Sequence, residues 1–326
     1  MNRTLLYDSH VALGGRMVDF AGWELPVQYP TGPLEEHKRV REAAGLFDID
    51  HMGQVVVAGP EALRFLQMIQ VNDISTMAVS DARYSLMCYA DGAVIDDIFL
   101  YRVAAESWWV IVNASNRKKD VEWMQLHAVG LNVSVTDISD ETYMLALQGP
   151  QAQTILQRLT DVDLATVKFH TCAQATVNGV ATLLGATGYT GEYGYELFFP
   201  AAHATAMWNA ILAAGKPEGI LPCGLAARDS LCFEPCLQLY GHEIHARIDP
   251  ISARLSWAVS FKKGDFIGRE ALLKIKLEGP ALRLVGFEMA ERGVPRAEYP
   301  VAINGQVVGI VTTGMKSPTS ERFVGL

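Results

Sequence analysis

The sequence has no run of about 18 apolar residues, the length a helix needs to cross a bilayer, and its first residues, Met1 to His10, lack the apolar centre of a signal peptide. Positive charge is also in short supply: 27 Lys and Arg stand against 36 Asp and Glu, a net charge of −9. That balance disfavours phosphate backbones and anionic headgroups, so neither nucleic acid nor a membrane surface is expected as a partner. Cysteine is sparse, with five residues, an odd number without paired C-x-x-C spacing. Free thiols in a reducing compartment, and hence a soluble cytoplasmic protein, are expected. Charged residues make up only 19% of the chain against 50% hydrophobic, which excludes disorder and predicts a buried core spread over two or three domains. No internal repeat or low-complexity tract is present.

What the chain does have is an unusual stretch, Gly188-Tyr189-Thr190-Gly191-Glu192-Tyr193-Gly194-Tyr195-Glu196, with three glycines and three tyrosines running into Leu197-Phe198-Phe199. It reads as a shaped loop followed by a strand, its glycines allowing positive φ or a close approach of backbone to a ligand. Strand alternation puts Glu196 and Phe198 on one face and Tyr195, Leu197 and Phe199 on the other. A carboxylate inside an apolar strand needs donors or a polar ligand. Glu196 therefore either pairs with an arginine or backbone amides, or lies beside a bound molecule. The spacing is G-x-x-G-x-x-G without the G-K-[ST] of a phosphate loop. Aromatic rings beside one carboxylate suit a flat, nitrogen-rich heterocycle better than a phosphate.

The remaining pattern is mixed α and β. Met17 to Pro26 reads as one extended segment, Leu34 to Ala44 as a helix, Gln54 to Ala58 as a strand, and Pro60 as the opening of a second helix. Tyr84 to Tyr89, Ile95 to Val103 and Trp108 to Asn113 read as an antiparallel meander, followed by a helix over Lys119 to His127 capped by Ser115 or Asn116 and a strand over Leu131 to Val135. Tyr143 to Gln148 is a strand, Gly149-Pro150 opens a helix, and the short strands between Phe169 and Phe199 form a sheet covered by a helix over Ala202 to Ala214. Leu225 to Leu231 is a helix that Pro235 ends. Past a helix reaching Leu277, Arg283 to Met289, Pro300 to Ile303 and Gln306 to Thr312 give a C-terminal β module of about three strands, the last two joined by Asn304-Gly305.

Few residues propose chemistry by themselves. Asp96 and Asp97 head an apolar strand but face opposite ways, so they do not make a paired-carboxylate site; Asp97 shares a face with Phe99 and Tyr101, and Asp96 is expected to cap the turn. Tyr84 and Asn113, on the flanking strands, extend that polar face. Cys232 and Cys236, four apart, would share a helix face with Arg228 and read as packing rather than zinc ligands. His51 reads as a loop or core histidine. His242 and His245 have i, i+3 spacing, not the i, i+4 of a zinc protease, and no metal is expected. No nucleophile elbow is present.

Taken together, Met17 to Trp23, Phe47 to Gly53, Gly92 to Tyr101, Leu147 to Pro150, Gly188 to Glu196, Gly224 to Asp229 and Leu239 to Gly241 resemble the aminomethyltransferase, or T-protein, family of the glycine cleavage system. The resemblance implies an α+β, three-lobed cloverleaf around a channel for tetrahydrofolate: residues 1–50 with 138–250 as the folate-binding lobe, 51–137 as a second lobe carrying Asp97, and 251–326 as a C-terminal β module, here an incomplete barrel. It implies an enzyme that takes an aminomethyl group from the lipoyl arm of a partner H-protein to tetrahydrofolate, releasing ammonia. Asp97 matches the functional aspartate, Glu196 the glutamate facing the pterin, and Arg228 the folate-site arginine. Met52, Tyr84, Tyr101, Asn113 and Tyr189 match lining positions. Three departures stand out: Cys232-Phe233-Glu234-Pro235 replaces the usual Arg-[Leu/Phe]-Glu-Ala, Gly92-Ala93 replaces Gly-Gly, and the expected C-terminal module lacks the further barrel strands and the aromatic near the folate tail that family members carry. The rival readings are a folate-dependent demethylase with another donor and a non-enzymatic folate-binding protein.

Overall fold

Turn chemistry and period-two patterning lay out most of the strands. The computed structural model describes residues 1–326, which divide into unit one (Met1–Ala62, Met77–Arg83 and Phe99–Pro235) and unit two (Leu63–Thr76, Tyr84–Ile98 and Cys236–Leu326).

Unit one holds a six-stranded sheet in the order Cys172–Val177, Val180–Gly185, Gly194–Pro200, Thr142–Gln148, Gly45–Asp48, Leu221–Pro222. Its pairs are antiparallel except the last, where Leu221–Pro222 runs parallel to Gly45–Asp48. Asn178 and Gly179 turn the first hairpin with positive φ, as their sequence predicts. One face of the sheet buries Leu145, Leu147, Tyr195, Leu197 and Phe199 against Met207, Trp208 and Ile211 of the Ala204–Ala214 helix. The expected covering helix is therefore in place.

The opposite face contributes Phe47, Met144, Ala146, Leu183 and Phe198 to a second cluster, with Tyr101 and Ile111 and with Ala227 and Leu231 of the Leu225–Phe233 helix. That helix is pinned at its start by Glu36, which accepts from the Gly224 N–H at 2.8 Å and the Tyr29 N–H at 2.6 Å. Pro235 follows its end. The Met17 to Pro26 segment differs from the expectation of one extended run: it is a hairpin of Arg16–Phe20 and Trp23–Gln28, reversed at Ala21 and Gly22, with Pro26 inside the second strand beside a register shift. The irregularity relieves the hydrogen bond that a proline cannot donate.

The five-stranded sheet has the order Ala82–Cys88, Val94–Ala104, Ser107–Val112, Gly53–Ala58, Ser134–Asp137, which matches the predicted meander. Ser134–Asp137 starts three residues later than expected because the Arg117–Ala128 helix is followed by a turn through Leu131. Asn116 stands at the N-cap of that helix without a side-chain capping bond.

Unit two has its own core of Val71, Leu86, Val94, Ile244, Leu255, Phe266 and Leu272. Its C-terminal part carries more strands than the sequence reading counted. Phe287–Glu288, Phe323–Gly325 and Gly314–Lys316 form one antiparallel sheet, and Pro300–Ile303 with Gln306–Ile310 a separate hairpin. Arg283 to Met289 shrinks to a two-residue strand, while the last two strands are too short and too polar in their surroundings to show a period of two. No helix is long and apolar enough to cross a membrane.

Candidate active site

Glu196 sits on the Gly194–Pro200 strand, on the face it shares with Phe198. Neither an arginine nor a backbone amide meets it, contrary to the structural alternative considered for it. Its Oε2 instead accepts from the Tyr101 hydroxyl at 2.7 Å and the Thr187 hydroxyl at 2.6 Å, and those two oxygens are 2.6 Å apart. The other oxygen, Oε1, accepts nothing from the protein. Burial pushes the Glu196 carboxyl above the usual carboxylate range, partly offset by the bonds from Thr187 and Tyr101. Burial also raises the Tyr101 phenol well above its ordinary value, so it stays a donor at neutral pH.

The glycine-rich loop owes its shape to Gln148. This buried side chain donates from Nε2 to the Thr187 carbonyl at 3.0 Å and accepts at Oε1 from the Thr190 hydroxyl at 2.8 Å. A Cβ on Gly188 would stand 2.0 Å from Gln148 Oε1, and one on Gly194 2.5 Å from its Nε2. Two of the loop's glycines therefore admit a glutamine, not a ligand. The tyrosines divide as well: Tyr195 is fully buried in the core, Tyr193 is half-buried and donates to the Val167 carbonyl at 2.9 Å, and Tyr189 is half-buried within electrostatic range of Arg228, whose guanidinium pKa burial lowers. Arg41 ties the loop down by donating to the Thr190 carbonyl at 2.6 Å and pairing with Glu192 and Glu234 at 3.0 Å each. Glu234, inside the unusual Cys232 to Pro235 segment, is thereby engaged.

Arg228, on the Leu225–Phe233 helix, donates from Nη1 to His51 Nε2 at 2.8 Å and lies over the Phe20 ring, 5.1 Å from its centroid. His51 is 2% exposed. Burial, and then the charge of Arg228, hold its imidazole down at about 3, so it is neutral at physiological pH. Met52 follows it and packs on the apolar cluster that contains Phe198 and Tyr101. Asn113 ends the Ser107–Val112 strand half-buried, its carbonyl accepting from the Asn116 N–H at 2.9 Å. Cys232 is buried, but Cys236 lies past Pro235 with a left-handed backbone and an exposed thiol, so the two do not share a helix face with Arg228.

The other two expected residues belong to unit two. Asp97 is half-buried near the head of the Val94–Ala104 strand, and its neighbour Asp96 is fully buried on the opposite face. Asp96 lies within the strand, past the turn at Asp91 and Gly92. Asp91 caps that turn, accepting from the Ala93 N–H at 3.0 Å. Tyr84 stacks on Trp257 with ring centroids 5.4 Å apart.

The chain matches the model of the GCVT N-terminal domain over residues 6–263 and that of the glycine cleavage T-protein C-terminal barrel domain over 283–326. It belongs to the glycine cleavage T-protein family. It is 52% identical over 333 residues to an aminomethyltransferase of Symbiobacterium thermophilum, covering 100% of this chain and 88% of that one, and 50% identical to an aminomethyltransferase of Herpetosiphon aurantiacus, covering 98% and 87%. The crystal structure of the glycine cleavage aminomethyltransferase T from Bartonella henselae superposes with a TM-score of 0.93 at 33% identity, over 99% of this chain and 88% of that one. At this level of identity and coverage the chain is a one-carbon transferase of the aminomethyltransferase kind, and the demethylase and non-enzymatic readings are set aside.

Sequence reasoning missed Thr187 and His51 as site partners. Thr187 precedes the loop without a pattern of its own. His51 is a core histidine, as expected, but its partner lies 177 residues away.

Proposed function

We propose that this T-protein transfers the aminomethyl group of a lipoyl-carrying H-protein to tetrahydrofolate in the cytoplasm, leaving ammonia, the dihydrolipoyl protein and 5,10-methylene-tetrahydrofolate. The observation that carries the choice of acceptor is the half-satisfied carboxylate of Glu196. Two hydroxyls hold Oε2 and fix the plane of the group, while Oε1 accepts nothing from the protein. Such a group is suited to the amino and ring N–H donors of a pterin. Phe198 and Tyr101 on the same side supply apolar and aromatic surroundings. Tetrahydrofolate brings the N5 and N10 nitrogens that take up the carbon.

Arg228 offers its remaining guanidinium donors to the same ligand, and Met52, Asn113 and Tyr189 line the site. Asp97 orients the folate and places negative charge near the centre that becomes iminium-like as ammonia departs. Electrostatic positioning of this kind acts chiefly on the transition state. The deciding experiment supplies aminomethyl-loaded lipoyl protein and tetrahydrofolate and follows ammonia release. Folate-dependent release is expected. Folate binding without release from that donor would overturn the choice of donor, and no folate binding would overturn the site.

A further inference from the structure

His51 and Arg228 make an unusual pair. Buried or half-buried arginines are ordinarily met by carboxylates, which neutralise the charge and take two N–H donors at once. Here the acceptor is an imidazole. Arg228 has no proton to lose, so the 2.8 Å contact fixes the tautomer: Nε2 of His51 carries the lone pair and Nδ1 carries the proton. That Nδ1 is buried and has no hydrogen-bond partner. Leaving such a donor unsatisfied is destabilising, a penalty that a purely structural histidine would not be expected to retain. Phe20 completes the arrangement, lying under the guanidinium and meeting the His51 ring edge-on at 5.6 Å and 86°. Three separate segments thus converge on one guanidinium: the Arg16–Gln28 hairpin, the turn at His51 and the Leu225–Phe233 helix.

We propose that His51 is a positioning residue, whose Nε2 lone pair fixes the orientation of the Arg228 guanidinium while leaving its positive charge and its other donors for an acceptor group of the bound folate. The proposal rests on the reading of Arg228 as a folate-binding residue. A carboxylate at position 51 would hold the arginine equally well but cancel the charge. A neutral imidazole holds it through one donor only. Its neutrality follows from burial and from the adjacent cation, both of which disfavour a second positive charge.

The test is a double-mutant cycle read by the dissociation constant of tetrahydrofolate, with thermal unfolding measured on each protein. His51→Leu removes the acceptor together with the unpaired donor. Its melting temperature should be no lower than that of the unaltered protein, yet folate should bind about tenfold more weakly, the loss of one hydrogen bond to a charged group. His51→Gln, whose side-chain carbonyl can accept from Nη1, should recover binding to within about threefold. In an Arg228→Ala background, His51→Leu should add nothing. Unchanged binding in His51→Leu, failure of glutamine to rescue, or losses that add independently of Arg228 would each overturn the positioning role. Normal binding in Arg228→Ala alone would overturn instead the reading of the arginine. Should His51→Leu not fold, His51→Met deletes the same acceptor at similar volume and completes the cycle.

Discussion

Asp48 and Glu196 are carboxylates of the same six-stranded sheet, standing opposite Leu145 and Ala146 on the strand between them. Asp48 is saturated. Its Oδ2 accepts from Thr4 at 2.6 Å, His10 at 2.9 Å and Tyr143 at 2.9 Å, and its Oδ1 from the Asp50 N–H at 3.1 Å. Burial would raise its carboxyl, but His10, Thr4 and the Asp50 amide outweigh burial and lower it. Glu196 has two donors on one oxygen and none on the other, and burial prevails. Both are carboxylates within apolar strands, yet one completes the core and the other is left with an unused acceptor. Counting the donors on each oxygen separates these two carboxylates more surely than burial does.

The largest effect that would sharpen this contrast is on stability. Asp48→Ala strands His10, Tyr143 and Thr4, and should cost about 3–5 kcal/mol in denaturant unfolding, as expected for one removed member of a buried charged network. Glu196→Ala should cost less than about 1 kcal/mol, since it leaves only two hydroxyls that can bond to each other. Equal losses would erase the distinction. Asp97, the carboxylate proposed for the chemistry, should show the opposite profile: Asp97→Ala is expected to lower turnover by about 10²–10³-fold with folate affinity nearly intact, and unchanged turnover would remove it from the proposed mechanism. For Glu196→Gln, folate binding should weaken about tenfold, because one acceptor becomes a donor facing ring N–H groups. Calorimetry giving equal constants for the two proteins would refute the pterin assignment.

The remaining effect depends on pH and concerns Asp50, the neighbour that donates its N–H to Asp48. Burial, and then the charge of Asp48, push its carboxyl up to about 9. A group that binds its proton more tightly when folded contributes fully below its unfolded pKa, about 4, and loses that contribution as the pH rises toward 9. Asp50→Asn stays neutral and keeps an oxygen for the Met144 N–H, which Asp50 receives at 3.1 Å. The variant should match the unaltered protein near pH 4 and become progressively more stable by comparison up to pH 9. A melting-temperature difference that stays flat across this range would contradict it.

The sequence showed which face each strand residue takes, and the structure agrees: Glu196 and Phe198 lie opposite Tyr195, Leu197 and Phe199, and Asp97 opposite Asp96. Alternation is a local property, so it can be read along the chain. Partners are not local. The glycines of the 188–196 loop look like openings for a ligand until Gln148, 40 or more positions earlier, is found filling the space of two of them. His51 looks unremarkable until Arg228 arrives from a distant helix. The strands Gly314–Lys316 and Phe323–Gly325 are too short to carry a pattern at all. The family resemblance names Glu196 and Arg228 but not Thr187 or His51, the residues that hydrogen-bond to them.

The seating of Gln148 between Gly188 and Gly194 has a consequence for anyone altering this loop. Positions 148, 187, 188, 190 and 194 behave as a single unit of variation, because the amide fixes the Thr187 carbonyl and the Thr190 hydroxyl while occupying the volume that any larger residue at 188 or 194 would need. A library that randomises the loop alone samples mostly clashes. One that shortens residue 148 at the same time opens new loop shapes, and with them new placements of the hydroxyl that steadies Glu196.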